Sequence, residues 1–197
     1  MNQINNVTYK EDNLITLKRN LHYDYIITGP ADFAELGMDT LDEQPYYNFM
    51  MERFSLFNPK SGLVTLIATN RKADKRIIHK QTIYNDIMFK NDFKLISEKV
   101  WVKTYMRDVI WRLGFVNILT YRHKSMERKY KLPLIPDCFH FPHKAGTNGF
   151  PPELIHQFVK EIPGVVYDPF MGSGTTARVC EALGREWIGS EWSDSQM

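Results

Sequence analysis

The sequence predicts a three-layer α/β domain on an open, doubly wound, mostly parallel sheet of about seven strands. Three observations lead there. Short apolar runs, YDYIIT (23–28) and LVTLIAT (63–69) among them, alternate with stretches of helical periodicity. Gly, Pro, Asn and Asp punctuate the boundaries. The 197 residues are 43% hydrophobic and 13% aromatic, enough to bury one domain's core.

The elements follow in chain order. Val7 to Lys10 reads as a short strand ending at Glu11-Asp12-Asn13, and Leu14, Leu17 and Leu21 recur at helical spacing. Tyr23 to Thr28 is a buried strand stopped by Gly29-Pro30. Tyr46 to Leu56 is helical and ends at Asn58-Pro59-Lys60-Ser61-Gly62, and its Tyr46, Tyr47, Phe49, Met50 and Phe54 are spaced as a core face. Leu63 to Thr69 is the next buried strand, and Lys80 to Phe89 an amphipathic helix. Phe93 to Val102 and Phe115 to Tyr121 are strands, with Trp101 and Trp111 as core or rim packing. Ser125 to Asn148 is irregular, first basic and then proline-punctuated. Pro152 to Lys160 is a helix with Pro in its first turn. Val165 to Tyr167 is a strand running into DPFMGSGTT (168–176); Thr175 to Leu183 is a helix closed by Gly184; Trp187 to Glu191 is the last strand.

Composition excludes several function classes. Twenty-five basic against 23 acidic residues leave a net charge of +2, which argues against a bulk polycation. Cys138 and Cys180 are too few for a disulfide framework or a cysteine-rich zinc site. Cys138, His140 and His143 offer three ligands in one loop and no fourth, so no metal is expected. The start, MNQINNVTYKEDN, lacks the pattern of a secretion signal, and no run approaches the roughly 18 apolar residues of a membrane span. A cytoplasmic domain without membrane contact is the expectation.

Sheets of this kind bind ligands beyond the carboxyl ends of their strands. The polar clusters there are Asp12-Asn13, Thr28 to Asp32, Thr69-Asn70-Arg71, Asp168-Pro169-Phe170 and Glu191-Trp192. The longest signal is Asp168-Pro169-Phe170-Met171-Gly172-Ser173-Gly174-Thr175-Thr176, set between a strand and a helix. Two glycines let its backbone turn tightly against a ligand. No Lys follows the second glycine, so it is not a phosphate-binding P-loop. An acid at the strand end suits a cationic amine or a ribose hydroxyl. Glu191, at the tip of the next strand, suits both ribose hydroxyls, and Trp192 beside it suits an adenine ring.

On these residues the chain resembles the S-adenosylmethionine-dependent amino-methyltransferases of DNA, which act on adenine N6 or cytosine N4. It is most similar to the permuted group whose catalytic half precedes the cofactor half. The resemblance implies one Rossmann-like methyltransferase domain over 1–197: a catalytic half at 1–121, a short basic insertion at 122–149 and a cofactor half at 150–197. It implies that Asp168 faces the methionine end of S-adenosylmethionine, that Glu191 binds the ribose, and that Asp12 lies near the adenine. Phe150-Pro151-Pro152-Glu153-Leu154-Ile155 resembles the helix start that closes over the methionine moiety. The implied cofactor set is Asp12, Asn13, Thr28, Phe150, Asp168, Pro169, Phe170, Gly172, Gly174, Thr175, Thr176, Glu191 and Trp192.

The family's catalytic string is Asp, Asn or Ser, then Pro-Pro, then an aromatic. Here Gly29-Pro30-Ala31-Asp32 occupies its place. Gly29 has no side chain to accept a hydrogen bond from the target amine, and Pro30 keeps a carbonyl for that purpose. Asp32 replaces the aromatic that stacks on a flipped base. Phe33 is then the candidate for stacking, and Asp32 the candidate acceptor. Two basic stretches, Arg71, Lys72, Lys75, Arg76 and Lys80, and Arg122, Lys124, Arg128, Lys129 and Lys131, are expected on the active-site rim as phosphate contacts. Tyr130, Phe139 and Phe141 are interleaved to stack on bases.

The resemblance therefore implies methyl transfer to an exocyclic amino group of a nucleic-acid base, in DNA rather than RNA. Two alternatives stay open: a non-catalytic nucleic-acid-binding subunit of an active methyltransferase, and a methyltransferase for a nucleotide or other small amine. Only Trp192 to Met197 follow Glu191, where the family adds a helix, so a second copy or another chain is expected to cover that face.

Overall fold

A computed structural model describes residues 6–57, 62–104, 113–126, 135–142 and 149–192. The order is β1 (Val7–Tyr9), α1 (Asn13–Lys18), β2 (Tyr25–Thr28), α2 (Gln44–Phe54), β3 (Leu63–Ala68), β4 (Arg71–Ala73), β5 (Arg76–Ile78), α3 (Lys80–Lys90), β6 (Phe93–Thr104), β7 (Phe115–His123), β8 (Cys138–Pro142), α4 (Pro152–Val159), β9 (Val166–Asp168), α5 (Thr175–Ala182) and β10 (Trp187–Ser190).

Among the described residues the main sheet has eight strands in the order β1-β10-β9-β2-β3-β7-β6-β8. β3–β7 and β7–β6 pair antiparallel, and the other neighbours pair parallel. Five parallel pairings against two bear out a mostly parallel sheet. The count exceeds the expected seven because β8 forms inside the stretch expected to be irregular. Phe139 is buried there while Cys138 and His140 face out, so one inward residue anchors the strand beside β6. A separate hairpin, β4–β5, forms from the first basic stretch through Asp74 and Lys75, both in the left-handed region.

Three layers follow from alternation along the strands. Ile26, Val64 and Leu66 face one core with Tyr46, Met50 and Phe54 of α2 and Tyr84 and Ile87 of α3. Tyr25, Ile27, Leu63 and Ile67 face the opposite core with Leu154 and Phe158 of α4 and Val179 and Cys180 of α5. The helices thus flank the sheet on both faces. No helix among the described residues is long and apolar enough to cross a membrane.

Strand direction fixes the rims. β1, β2, β3, β9 and β10 run together, so Tyr9, Thr28, Ala68, Asp168 and Ser190 end on one side. β7 runs the other way: Arg122 pairs with Leu63, the first residue of β3. Arg122 and Lys124 therefore lie on the far rim, and Lys124 bridges Asp92 just before β6 (2.7 Å). The expectation that both basic stretches share the active-site rim fails for these two. Arg128, Lys129, Lys131, Tyr130, Trp111 and His143 lie outside the described residues, as does 58–61 of the expected helix stop.

Candidate active-site cleft

The carboxyl ends of β2, β3, β9 and β10 open into a cleft of about 1760 Å³. It brings together residues far apart in the chain: Asp12-Asn13, Thr28 to Asp32, Asn70 to Lys72, Phe150, Asp168 to Ser173, and Glu191-Trp192.

One wall is built on β9 and α5. Asp168, 5% exposed, accepts from Thr28 Oγ1 (2.6 Å), Thr176 Oγ1 (2.6 Å) and the Phe170 N–H (3.2 Å). Burial pushes its carboxyl up to about 6; the three donors pull it down, and nearby Glu191 adds to the rise. The loop then turns through Gly172 (φ 53°) and Gly174 (φ 76°), where a side chain would be strained. Its turn is latched by the Gly172 N–H donating to Glu191 Oε2 (2.7 Å). Thr175 opens α5 beside Gly174 and accepts from Arg178 Nη2 (3.1 Å). Trp192 is 72% exposed and lines the cleft.

Asp12 caps α1 by accepting from the Leu14 N–H (2.9 Å). It also receives Arg53 Nη2 at 2.9 and 3.1 Å. Arg53 is 3% exposed, stacks on Phe49 and donates through Nε to Asn13 Oδ1 (2.7 Å). Asn13 Nδ2 in turn donates to the Pro169 carbonyl (2.9 Å). A chain of contacts thus runs from α2 to the β9 loop. Sequence reasoning missed Arg53. The available signal was its place at 46, 50, 53, the buried stripe of α2.

The opposite wall is the loop after β2. A Cβ at Gly29 would collide with Cε2 and Cζ of Phe150, so this glycine answers a close approach rather than a special φ. Phe150 meets Trp101 edge-on, with centroids 6.3 Å apart and planes at 79°. Ala31 O accepts from Tyr46 Oη (2.8 Å), which also meets Tyr84 Oη (2.7 Å). Tyr46 therefore does more than fill the core: it braces the loop from below.

Several expectations for this region need correction. Phe33 is fully buried and stacked on Tyr46 (4.0 Å, 12°), so it has no face left for a base. Lys80, 1% exposed, bridges Asp32 Oδ1 (3.1 Å) beneath the loop and is not a phosphate contact; burial lowers its pKa, opposed by Asp32. Asp32 is committed on both oxygens, because Arg71 Nη1 reaches Oδ2 (3.2 Å). Phe139, buried against Phe158, has likewise no face for a base. Lys72 lines the cleft and Lys75 is exposed at the hairpin turn, whereas Arg76 is tied to Glu43 (2.9 Å). Among the described residues no cluster of three metal-ligating side chains occurs.

Comparisons with known proteins give the family and the fold. The N6/N4 methyltransferase family model, described as DNA methylase, matches residues 69–197. No curated protein matches in sequence. Among solved structures, a putative DNA modification methylase from Thermus thermophilus, complexed with S-adenosyl-L-methionine, superposes with TM-score 0.75 at 17% identity, covering 96% of this chain and 90% of that one. The cytosine-N4-specific PvuII DNA methyltransferase gives 0.78 at 14% identity, covering 96% and 82%. The M1.HpyAVI–SAM complex gives 0.68 at 22%, covering 96% and 94%.

Proposed function

The chain belongs to the DNA methylase family, and we propose that it transfers a methyl group from S-adenosylmethionine to an exocyclic amino nitrogen, adenine N6 or cytosine N4, of a base in DNA. The observation that carries this reading is the β9–α5 loop: a buried acid, two left-handed glycines and a carboxylate latch, all inside the matched segment.

The residues fit the cofactor. S-adenosylmethionine supplies an electrophilic methyl group on a sulfonium sulfur. Asp168 offers a desolvated carboxylate to the cationic methionine end, Glu191 offers carboxylate lone pairs to ribose hydroxyls, and Trp192 offers a face to the adenine. Gly172 and Gly174 admit the ligand close to the backbone. Asp12 is held by Arg53, which leaves it a role at the adenine end as a fixed acceptor.

On the acceptor side the protein's task is positioning. Pro30 lines the cleft and its carbonyl is the acceptor suited to the target amine. Asp32 is ordered by Arg71 and Lys80, so it keeps the loop in shape and adds a second, weakened acceptor. A base inside a duplex must leave the stack to reach this depth. Lys72 in the cleft and Lys75, exposed at the β4–β5 turn, are the phosphate contacts in this reading.

Incubation with methyl-labelled S-adenosylmethionine and unmethylated DNA, followed by nucleoside analysis, tests the reading. N6-methyladenine or N4-methylcytosine is expected. One observation favours a second reading, a binding subunit of an active methyltransferase: position 29 carries no acceptor side chain. Tight cofactor binding with no label in DNA would support that alternative.

A further inference from the structure

We propose that Phe150 supplies the stacking face for the acceptor base, replacing the aromatic that the catalytic string lacks. The inference rests on the base-methyltransferase reading and names the residue that holds the base.

The cleft needs such a face; Trp192 is taken by the adenine in the proposed reading, Phe170 packs against the α2-side core, and the aromatics around the loop after β2 are committed elsewhere. Asp32 stands at the aromatic's position and is ion-paired on both oxygens. Phe33 and Tyr46 stack on each other in the core. Phe49 lies under the Arg53 guanidinium. Trp101 is 1% exposed, so its ring has no free face.

Phe150 is partly exposed and lines the cleft beside Gly29 and Pro30. Its ring stands where a side chain from position 29 would have to be. The missing acceptor and the misplaced aromatic are therefore one substitution in space, although 121 positions separate them in the chain (150 minus 29). Trp101 packs edge-on behind the ring, and Trp101 Nε1 is anchored to Phe141 O (2.9 Å). A ring pinned in this way is a preformed platform for a planar heteroaromatic base bearing an amino group. Stacking accepts any base, so discrimination falls to the amine contacts at Pro30.

Fluorescence anisotropy with short, labelled, single-stranded oligonucleotides tests this without cofactor. Bases in single strands need no flipping. Phe150→Leu is expected to weaken oligonucleotide binding about tenfold, the scale of one base–aromatic stack. Phe150→Tyr, which keeps a face, is expected to recover affinity to within about threefold of wild type. Gly29→Ala, which pushes the ring aside, is expected to copy Phe150→Leu. Calorimetry with S-adenosylmethionine is the companion measurement, because the resemblance also gives Phe150 to the cofactor set: Phe150→Leu should lose more affinity for the oligonucleotide than for the cofactor. Wild-type oligonucleotide affinity in folded Phe150→Leu overturns the proposal, as does a loss confined to cofactor binding, which would put the ring on the cofactor wall. Failure of the wild type to transfer methyl would instead overturn the methyltransferase reading, while the oligonucleotide result still decides the role of Phe150.

Discussion

Asn13 and Pro169 are joined by a 2.9 Å hydrogen bond from side-chain amide to backbone carbonyl, across 156 positions of the chain. Arg53 orients that amide through its other end. Asn13→Ala leaves the Arg53 Nε and the Pro169 carbonyl without these partners, at a cost of about 1–3 kcal/mol. The urea midpoint should fall accordingly, and S-adenosylmethionine affinity with it, because Pro169 lies in the loop proposed to hold the cofactor. An unchanged midpoint would show that the brace contributes nothing.

If Asp168 holds the cofactor as proposed, it should tie cofactor affinity to pH. Its folded-state carboxyl sits near 6, above its ordinary 3.8, so the folded protein binds the proton more tightly than the unfolded chain does. Stability from this group is therefore present below the ordinary value and is lost as pH rises through about 6. Without ligand, Asp168→Asn should be more stable than wild type at pH 8, by on the order of 2 kcal/mol, and near equal at low pH. Binding shows the opposite preference, because a cationic ligand needs the carboxylate. Affinity for S-adenosylmethionine should drop about tenfold per pH unit below 6 and level off above it, and Asp168→Asn should bind weakly at every pH. Calorimetry from pH 5 to 8 reads both.

Removing Asp32 strands Lys80 in the interior. Asp32→Ala should cost about 3 kcal/mol, the scale for breaking a buried pair, and should lower turnover while cofactor binding survives. Lys80→Met added to Asp32→Ala should recover much of the stability. Thermal melts of the single and double variants separate the charge effect from lost packing.

The two basic stretches should behave differently. Lys72→Gln and Lys75→Gln should each weaken DNA binding and flatten its salt dependence by about one unit of logarithmic slope. Lys124→Gln, on the far rim and bridged to Asp92, should do neither. Equal effects at all three positions would mean that DNA does not approach along the β3 rim.

What was legible in the sequence depended on how local the cause was. The β9–α5 loop was readable because acid, glycines and threonines are adjacent in the chain. The layers were readable because continuous apolar runs such as YDYIIT, buried on both faces, alternate with helical stretches along the chain. Two things were hidden by distance. The rim assignment of Arg122 depended on β7 running antiparallel, which no feature of FVNILTY announces. The fates of Gly29, Phe33 and Lys80 depended on Phe150, Tyr46 and Asp32, partners chosen by the tertiary fold. Arg53 was missed for the opposite reason: its place on the stripe with Tyr46 and Met50 is a local pattern, but only the apolar residues of that helix were read as its core face.

The strand order has a consequence for how the molecule comes into being. β9 and β10 stand between β1 and β2, so the two strands latest in chain order among the described residues are wedged between the two earliest. On the ribosome the β2–β3–β7–β6 block can pair early, whereas β1 must wait for β10 before it has a neighbour. Until then the edge of β2 is open, which is the condition that invites mispairing and chaperone capture. The cleft cannot exist in any partly made chain. Its walls meet only at the final stage of folding, and a ligand that bridges them would act as the latch on that stage.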